Sequence, residues 1–116
     1  MEANVLFAGI PVADFAEARR WYEQLFGRAP DVVAHAEEVM WQVAGTGWLY
    51  VLREPERAGT SIVAIAVGDI EATVAELAAR GVSAGPIKPE GEAGRKAILF
   101  VPAGNRVELL EITGGS

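Results

Sequence analysis

The sequence has no cysteine and only one histidine, His35, in 116 residues. The first absence removes disulfides, thiolate metal sites and thiol nucleophiles together. The second leaves His35 too solitary to found a nucleophilic triad or a histidine-rich metal site, so it reads as a surface or capping residue. No apolar run approaches the ~20 residues that a membrane helix needs. The start, MEANVLF, lacks the basic region and long apolar core of a signal peptide. The expectation is a cytoplasmic chain with no membrane partner. Basic charge is also scarce, with 10 Lys and Arg against 16 Asp and Glu and a net charge of −6. That balance argues against nucleic acid, whose phosphates need a basic surface. An acidic surface favours a cationic ligand, although it is also an ordinary route to solubility.

What is present is a chain 51% hydrophobic, which excludes disorder, with the length of one domain spanning residues 1–116. The stretch GRKAILFVPAGNRVELLEI, Gly94 to Ile112, organises the reading. Ala97 to Val101 and Arg106 to Ile112 read as strands around a turn at Pro102 to Asn105. Val107 and Leu109 share one face of the second strand, so Glu108 lies on the other, beside Leu110. Upstream, Val5 to Val12 reads as a strand. Asp14, with Glu17, caps a helix striped by Phe15, Ala18, Tyr22 and Leu25, and Gly27 ends it. Trp21 and Tyr22 lie at core spacing on that helix. Ala29 to His35 reads as an edge strand, Val39 to Val43 and Trp48 to Leu52 as a hairpin, and Arg53 to Thr60 as polar connection. The second half repeats the order: strand Ile62 to Val67, cap Asp69, a helix striped by Ile70, Val74, Leu77 and Ala78, terminator Gly81, weak strand Val82 to Pro89, closing hairpin.

The halves also match in residues. PVADF from Pro11 aligns with AVGDI from Ala66, and Asp14 and Asp69 are 55 positions apart. A repeat of this length marks duplicated units that cannot bury their faces separately. The reading is an α+β fold: two βαβββ repeats, residues 5–54 and 61–113, joined by a linker at 55–60.

This paired βαβββ pattern resembles the vicinal oxygen chelate superfamily, the glyoxalase, bleomycin-resistance and extradiol-dioxygenase group. The resemblance rests on Val-Ala-Asp leading into a helix that holds Trp21, Tyr22 and the run Leu25 to Gly27, and on the closing hairpin with Gly94, Arg95 and Pro102 to Leu109. It implies a curved, cup-like mixed sheet with the helices on its convex side, and cups completed by two chains, a homodimer. It also implies four inward positions where the family's enzymes hold a divalent metal. Carried over, these fall on Phe7, Ile62, Tyr50 (or Trp48) and Glu108. Phe and Ile donate no lone pair, and one carboxylate does not make a divalent site. The expectation is no metal and no cofactor.

With Gly45 and Thr46 as hairpin tip, the expected register sets Val43 opposite Trp48 and Trp41 opposite Tyr50, and opposed residues share a face. One cup wall would then hold Phe7, Trp41, Trp48 and Tyr50, the other Ile62, Ala64 and Ala66, with Glu108 at the end. Such a cup suits a flat, partly apolar molecule carrying a cationic or hydroxyl group. The same rings would also serve as core filling. Three readings stay open. The favoured one is a metal-independent small-molecule binding protein of the antibiotic-resistance type, sequestering an aromatic or cationic natural product through Phe7, Trp41, Trp48, Tyr50, Ile62, Ala64 and Glu108. The others are a lyase, isomerase or dioxygenase-like enzyme, with a degenerate metal site or with Glu108 as general base, and a structural dimer with an empty cup.

Overall fold

A computed structural model describes residues 1–92 and 94–112; Thr113, the last residue of the second repeat as read from the sequence, lies outside them. The elements run β1 (Leu6–Val12), α1 (Phe15–Phe26), β2 (Val32–His35), β3 (Glu38–Ala44), β4 (Gly47–Arg53), β5 (Ile62–Ala66), α2 (Ile70–Ala79), β6 (Lys88–Glu90), β7 (Gly94–Ile98) and β8 (Arg106–Ile112). The order strand, helix, three strands therefore occurs twice. It forms two four-stranded mixed sheets, β1-β4-β3-β2 and β5-β8-β7-β6, in which β1 is parallel to β4 and β5 to β8. No helix among the described residues is long and apolar enough to cross a membrane.

The helices begin and end where their capping residues dictate. The Asp14 carboxylate accepts from the Glu17 N–H at 3.0 Å, and Asp69 accepts from the Ala72 N–H at the same distance, each satisfying an orphan donor of the first turn. Gly27 closes α1 in the left-handed region at φ 70°, its N–H donating to the Glu23 carbonyl, a conformation that needs glycine. The buried stripe of α1 is Ala18, Trp21, Tyr22 and Leu25. It covers Ile10, Val12, Val39, Trp41, Leu49 and Val51 of the first sheet. Ile70 and Leu77 of α2 cover Ala97, Val107 and Leu109 of the second, and all belong to one core cluster. The Tyr22 hydroxyl is buried there with no hydrogen-bond partner among the described residues, and burial pushes it well above the usual phenol range.

Three sequence expectations are corrected. The tip of the β3–β4 hairpin is as expected, with Ala44 opposite Gly47. Between Gln42 and Ala44, however, the ladder slips by one residue, so Gln42 faces Trp48, Trp41 faces Leu49 and Met40 faces Tyr50. A bulge of one residue flips every side chain beyond it to the other face. Second, the weak strand expected over Val82 to Pro89 is only Lys88–Glu90, with an isolated bridge between Ala84 and Leu99. Third, the strand expected at Ala97 to Val101 is β7, Gly94–Ile98. It starts three residues early because its ladder follows β8 from Ile112 back to Glu108. Phe100 leaves that ladder and donates to the Ser83 carbonyl instead.

Two side chains join the modules. Arg80, at the end of α2, donates to the carbonyls of Gln24 and Leu25 at the end of α1, both at 2.8 Å. Asn105 accepts from the Ser61 N–H at 2.9 Å and donates to the Pro11 carbonyl at 3.2 Å. Within the second module the buried Glu111 does comparable work. One of its oxygens accepts from the Ile70 N–H at the start of α2 (2.9 Å) and the other from Arg95 on β7 (2.8 Å), while Arg95 also reaches Glu71. The Ile70 amide first, then Arg95, hold the Glu111 carboxyl below its ordinary value of 4.5. A carboxyl depressed by folding contributes stability that is complete above its unfolded value and is lost as pH falls through the folded one. Glu111→Gln should therefore lower the melting temperature at neutral pH and flatten its decline on acidification below about pH 4.5. Thermal melts of both proteins across that range check this, and identical pH profiles would refute it.

Candidate functional site

Each sheet has a helix layer on one face and none on the other. On the open face of the first sheet the ladder aligns Phe7 with Trp48 and Gly9 with Tyr50. Phe7 and Trp48 stack with ring centroids 5.9 Å apart and planes inclined by 28°. Phe7 is 51% exposed despite its size, and Trp48 and Tyr50 are half-buried. The Tyr50 ring lies flat across β1, because position 9 has no side chain: a Cβ on Gly9 would sit 2.6 Å from the Tyr50 Cζ. This glycine is what lets a wide aromatic surface run unbroken from Phe7 to Tyr50, a role that sequence reading missed. Its signal was a glycine inside an otherwise apolar strand, which marks close approach of a neighbour.

On the open face of the second sheet, Ile62 aligns with Arg106 and Ala64 with Glu108, with Ile98 on the other side of Glu108. Ile62 is 63% exposed, while Glu108 is only 9% exposed. Arg106, two residues before it and on the same face, brings its Nε to 3.3 Å from the Glu108 Oε2. That is close enough for charge attraction but off the line of a hydrogen bond, so this oxygen is buried without a hydrogen-bond partner among the described residues. Glu108 is thus an ion-paired carboxylate rather than the free anchor the sequence suggested.

Of the seven residues expected to bind the ligand, Trp41 is not on the open face at all. It is fully buried on the helix side, its ring 5.3 Å from Phe26 and 6.3 Å from Tyr22, and its indole N–H donates to the Arg28 carbonyl at 3.2 Å. The other six divide between the sheets: Phe7, Trp48 and Tyr50 on the first, Ile62, Ala64 and Glu108 on the second. No ladder among the described residues joins the two sheets. A cavity of about 240 Å3 between them touches Trp48 and Ala64, with Ala8, Val63 and Ala66 in its wall, but not Glu108.

The positions that the resemblance assigns to a divalent ion carry Phe7, Ile62, Tyr50 (or Trp48) and Glu108. Two are hydrocarbon, one is a phenol, and the carboxylate already faces an arginine, so these residues do not fit a divalent metal. Among the described residues no group of three or more His, Asp or Glu side chains converges elsewhere. His35 is the last residue of β2, its Nδ1 accepting from the Glu37 N–H at 3.1 Å.

The chain matches the Glyoxalase/Bleomycin resistance protein/Dioxygenase superfamily over residues 4–109. It is similar to a glyoxalase/bleomycin resistance protein from Catenulispora acidiphila, with 32% identity over 96% of this chain and 100% of that one, at a TM-score of 0.87. TnmS3, an antibiotic binding protein from Streptomyces, shares the fold at 22% identity, 97% and 98% coverage and a TM-score of 0.75. A lactoylglutathione lyase from Agrobacterium tumefaciens shares it at 16% identity, 95% and 94% coverage and a TM-score of 0.71. No curated sequence matches the chain.

The position of Trp41 has an energetic consequence. Removing a fully buried tryptophan side chain from a packed core costs about 3–5 kcal/mol, a large share of the ~5–15 kcal/mol that holds a small domain. Trp41→Ala should therefore unfold at much lower denaturant concentration, whereas Trp48→Ala should shift the midpoint little. Urea titrations of the two variants distinguish these outcomes.

Proposed function

The chain belongs to the Glyoxalase/Bleomycin resistance protein/Dioxygenase superfamily, and from that premise we propose that it is a metal-independent binding protein for an aromatic small molecule, of the antibiotic-sequestering kind. The observation that carries this reading is the aromatic shelf of Phe7, Trp48 and Tyr50 on a sheet face that no helix covers. Rings that serve only as core are buried, as Trp41 is; a stacked pair left partly in water marks a surface that binds something. Stacking adds about 0.5–1.5 kcal/mol beyond the buried area. A planar ligand would gain that term from each ring it overlies. The donor set at Phe7, Ile62, Tyr50 and Glu108 supports binding over metal-assisted chemistry. The antibiotic binding protein of the same fold supports the reading as a precedent for such a surface.

Trp21 and Trp41 are buried under the helix layer, so quenching of the intrinsic fluorescence by an aromatic ligand should report on Trp48. Trp48→Ala should weaken that ligand by about tenfold or more, the sum of a lost stack and its buried area. A ligand that binds the variant as tightly as the parent would refute the shelf.

The reading includes a second copy of the chain. The shelf and the Glu108 face lie on different sheets, and Phe7 and Ile62 are both more than half exposed. A homodimer that sets the first sheet of one chain opposite the second sheet of its partner would cover both and complete the site. Sedimentation at micromolar concentration should give twice the chain mass, and a species of one chain mass alone would count against it.

A further inference from the structure

The second sheet carries an anchoring group that the aromatic reading does not use. Its register sets Lys88 directly opposite Lys96 and Lys96 opposite Leu110. Opposed residues share a face, and Leu110 lies two residues from Glu108, so both lysines stand on the open face in the row next to Glu108 and Ala64. Together with Gly85, Pro86 and Ile98 they line a cavity of about 80 Å3, well below the ~300 Å3 that holds the body of a ligand and suited to one substituent.

Two ammonium groups set opposite each other repel, and here they do so on a chain whose net charge is −6. The carboxylates on the same face match only one of the two. Glu90 takes Lys96 at 3.0 Å and Glu108 takes Arg106 at 3.3 Å, while Lys88 has no ion pair among the described residues. Three cations against two carboxylates leave the face with one surplus positive charge. With Glu108 already matched by Arg106, the surplus favours an anion where the sequence alone suggested a cation.

We propose that the ligand of the aromatic shelf is an aromatic acid, a planar molecule bearing one carboxylate or similar monoanion, and that Lys88 and Lys96 receive the anion. This rests on the aromatic-binding reading above and on its two-chain site, because the shelf and the lysines lie on different sheets and meet only where the first sheet of one chain faces the second sheet of its partner. The anion relieves the lysine repulsion and cancels the surplus charge, and it gains charge-assisted hydrogen bonds that a neutral analogue cannot make.

The test uses three probes with one ring system, 2-naphthoate, 2-naphthol and 2-naphthylmethylammonium, titrated calorimetrically into the intact protein at low salt. The naphthoate should bind roughly tenfold tighter than the naphthol, the worth of one charge-assisted hydrogen bond, and the ammonium weakest of the three. Lys88→Gln and Lys96→Gln should each bring naphthoate affinity towards that of the naphthol without changing the naphthol's own. Lys88→Arg should retain the preference, and added salt should erode it. Lys88 is exposed and Lys96 half-buried, and circular dichroism of each variant checks that the fold is intact. Naphthol binding as tightly as naphthoate, or naphthoate binding unaltered in both glutamine variants, overturns the acid proposal and leaves the shelf standing. Loss of naphthol binding in Trp48→Ala marks the shelf as the surface the ring occupies; if none of the probes binds the parent protein, both readings fall.

Discussion

Each sheet of this protein has a helix on one face only, and the rest of the structure follows from that constraint. A strand alternates its side chains, so every strand must hand one parity to the core and the other to the open face. In β4, Leu49 and Val51 go under α1, while Trp48 and Tyr50 remain outside. In β8, Val107, Leu109 and Glu111 go under α2, while Arg106, Glu108 and Leu110 remain outside. Everything that makes a stable domain has to be done by half of the residues in each strand. The other half is left free to be selected for what it touches.

The helix layer is thin, and α2 buries only Ile70 and Leu77. Neither module closes its own core, which explains why the contacts between them are polar and specific as well as apolar. The last turn of α1 contains no basic residue, so its orphan carbonyls have no partner within their own helix. Arg80 of the other module supplies the donors, and its charge suits the negative end of the helix dipole. Gly27 serves twice in that junction. It adopts the left-handed conformation that ends α1, and its missing side chain leaves room for the guanidinium, whose Cζ would lie 3.1 Å from a Cβ at that position. Asn105 pins the opposite connection by bonding the linker at Ser61 and the carbonyl of Pro11. One side chain from each end of the second module thus fixes the first.

Architecture was legible in the sequence because its signals are local and redundant. Asp14 and Asp69 as caps, Gly27 and Gly81 as terminators and the alternation in β4 and β8 each name an element independently, and they agree. That Val107 and Leu109 share one face of β8 and Glu108 lies on the other followed from period-two counting alone. Register was less legible, because counting from a hairpin tip assumes an unbroken ladder. The tip was right and the bulge at Val43 was invisible to that count, which moved Trp41 from core to cup. The alternation itself carried the correction: Val39, Trp41 and Val43 are apolar on one parity, while Glu38 and Gln42 are polar on the other, and binary patterning assigns the apolar parity to the core. The edges of the closing hairpin were misplaced for a different reason. Apolar residues mark burial, and Leu99 is buried beyond the end of its strand.

The ion pair on β8 was missed, although its signal is in the sequence. In the run Arg106-Val107-Glu108 the first and third residues share a face, so an arginine beside the carboxylate follows from spacing alone. That pair alters what Glu108 can do. In a metal site of this fold the carboxylate at this position would face a cation supplied from solution; here the chain supplies the cation itself. A divalent ion brought to the same oxygen would meet the guanidinium as a like charge only a few ångströms away, and the neighbouring positions, Phe7 and Ile62, offer no donor to offset that repulsion. The substitutions at those positions and the arginine at 106 are therefore consistent with one another. Together they make this corner a neutral ion pair on a largely apolar sheet face, with no donor set for a divalent ion.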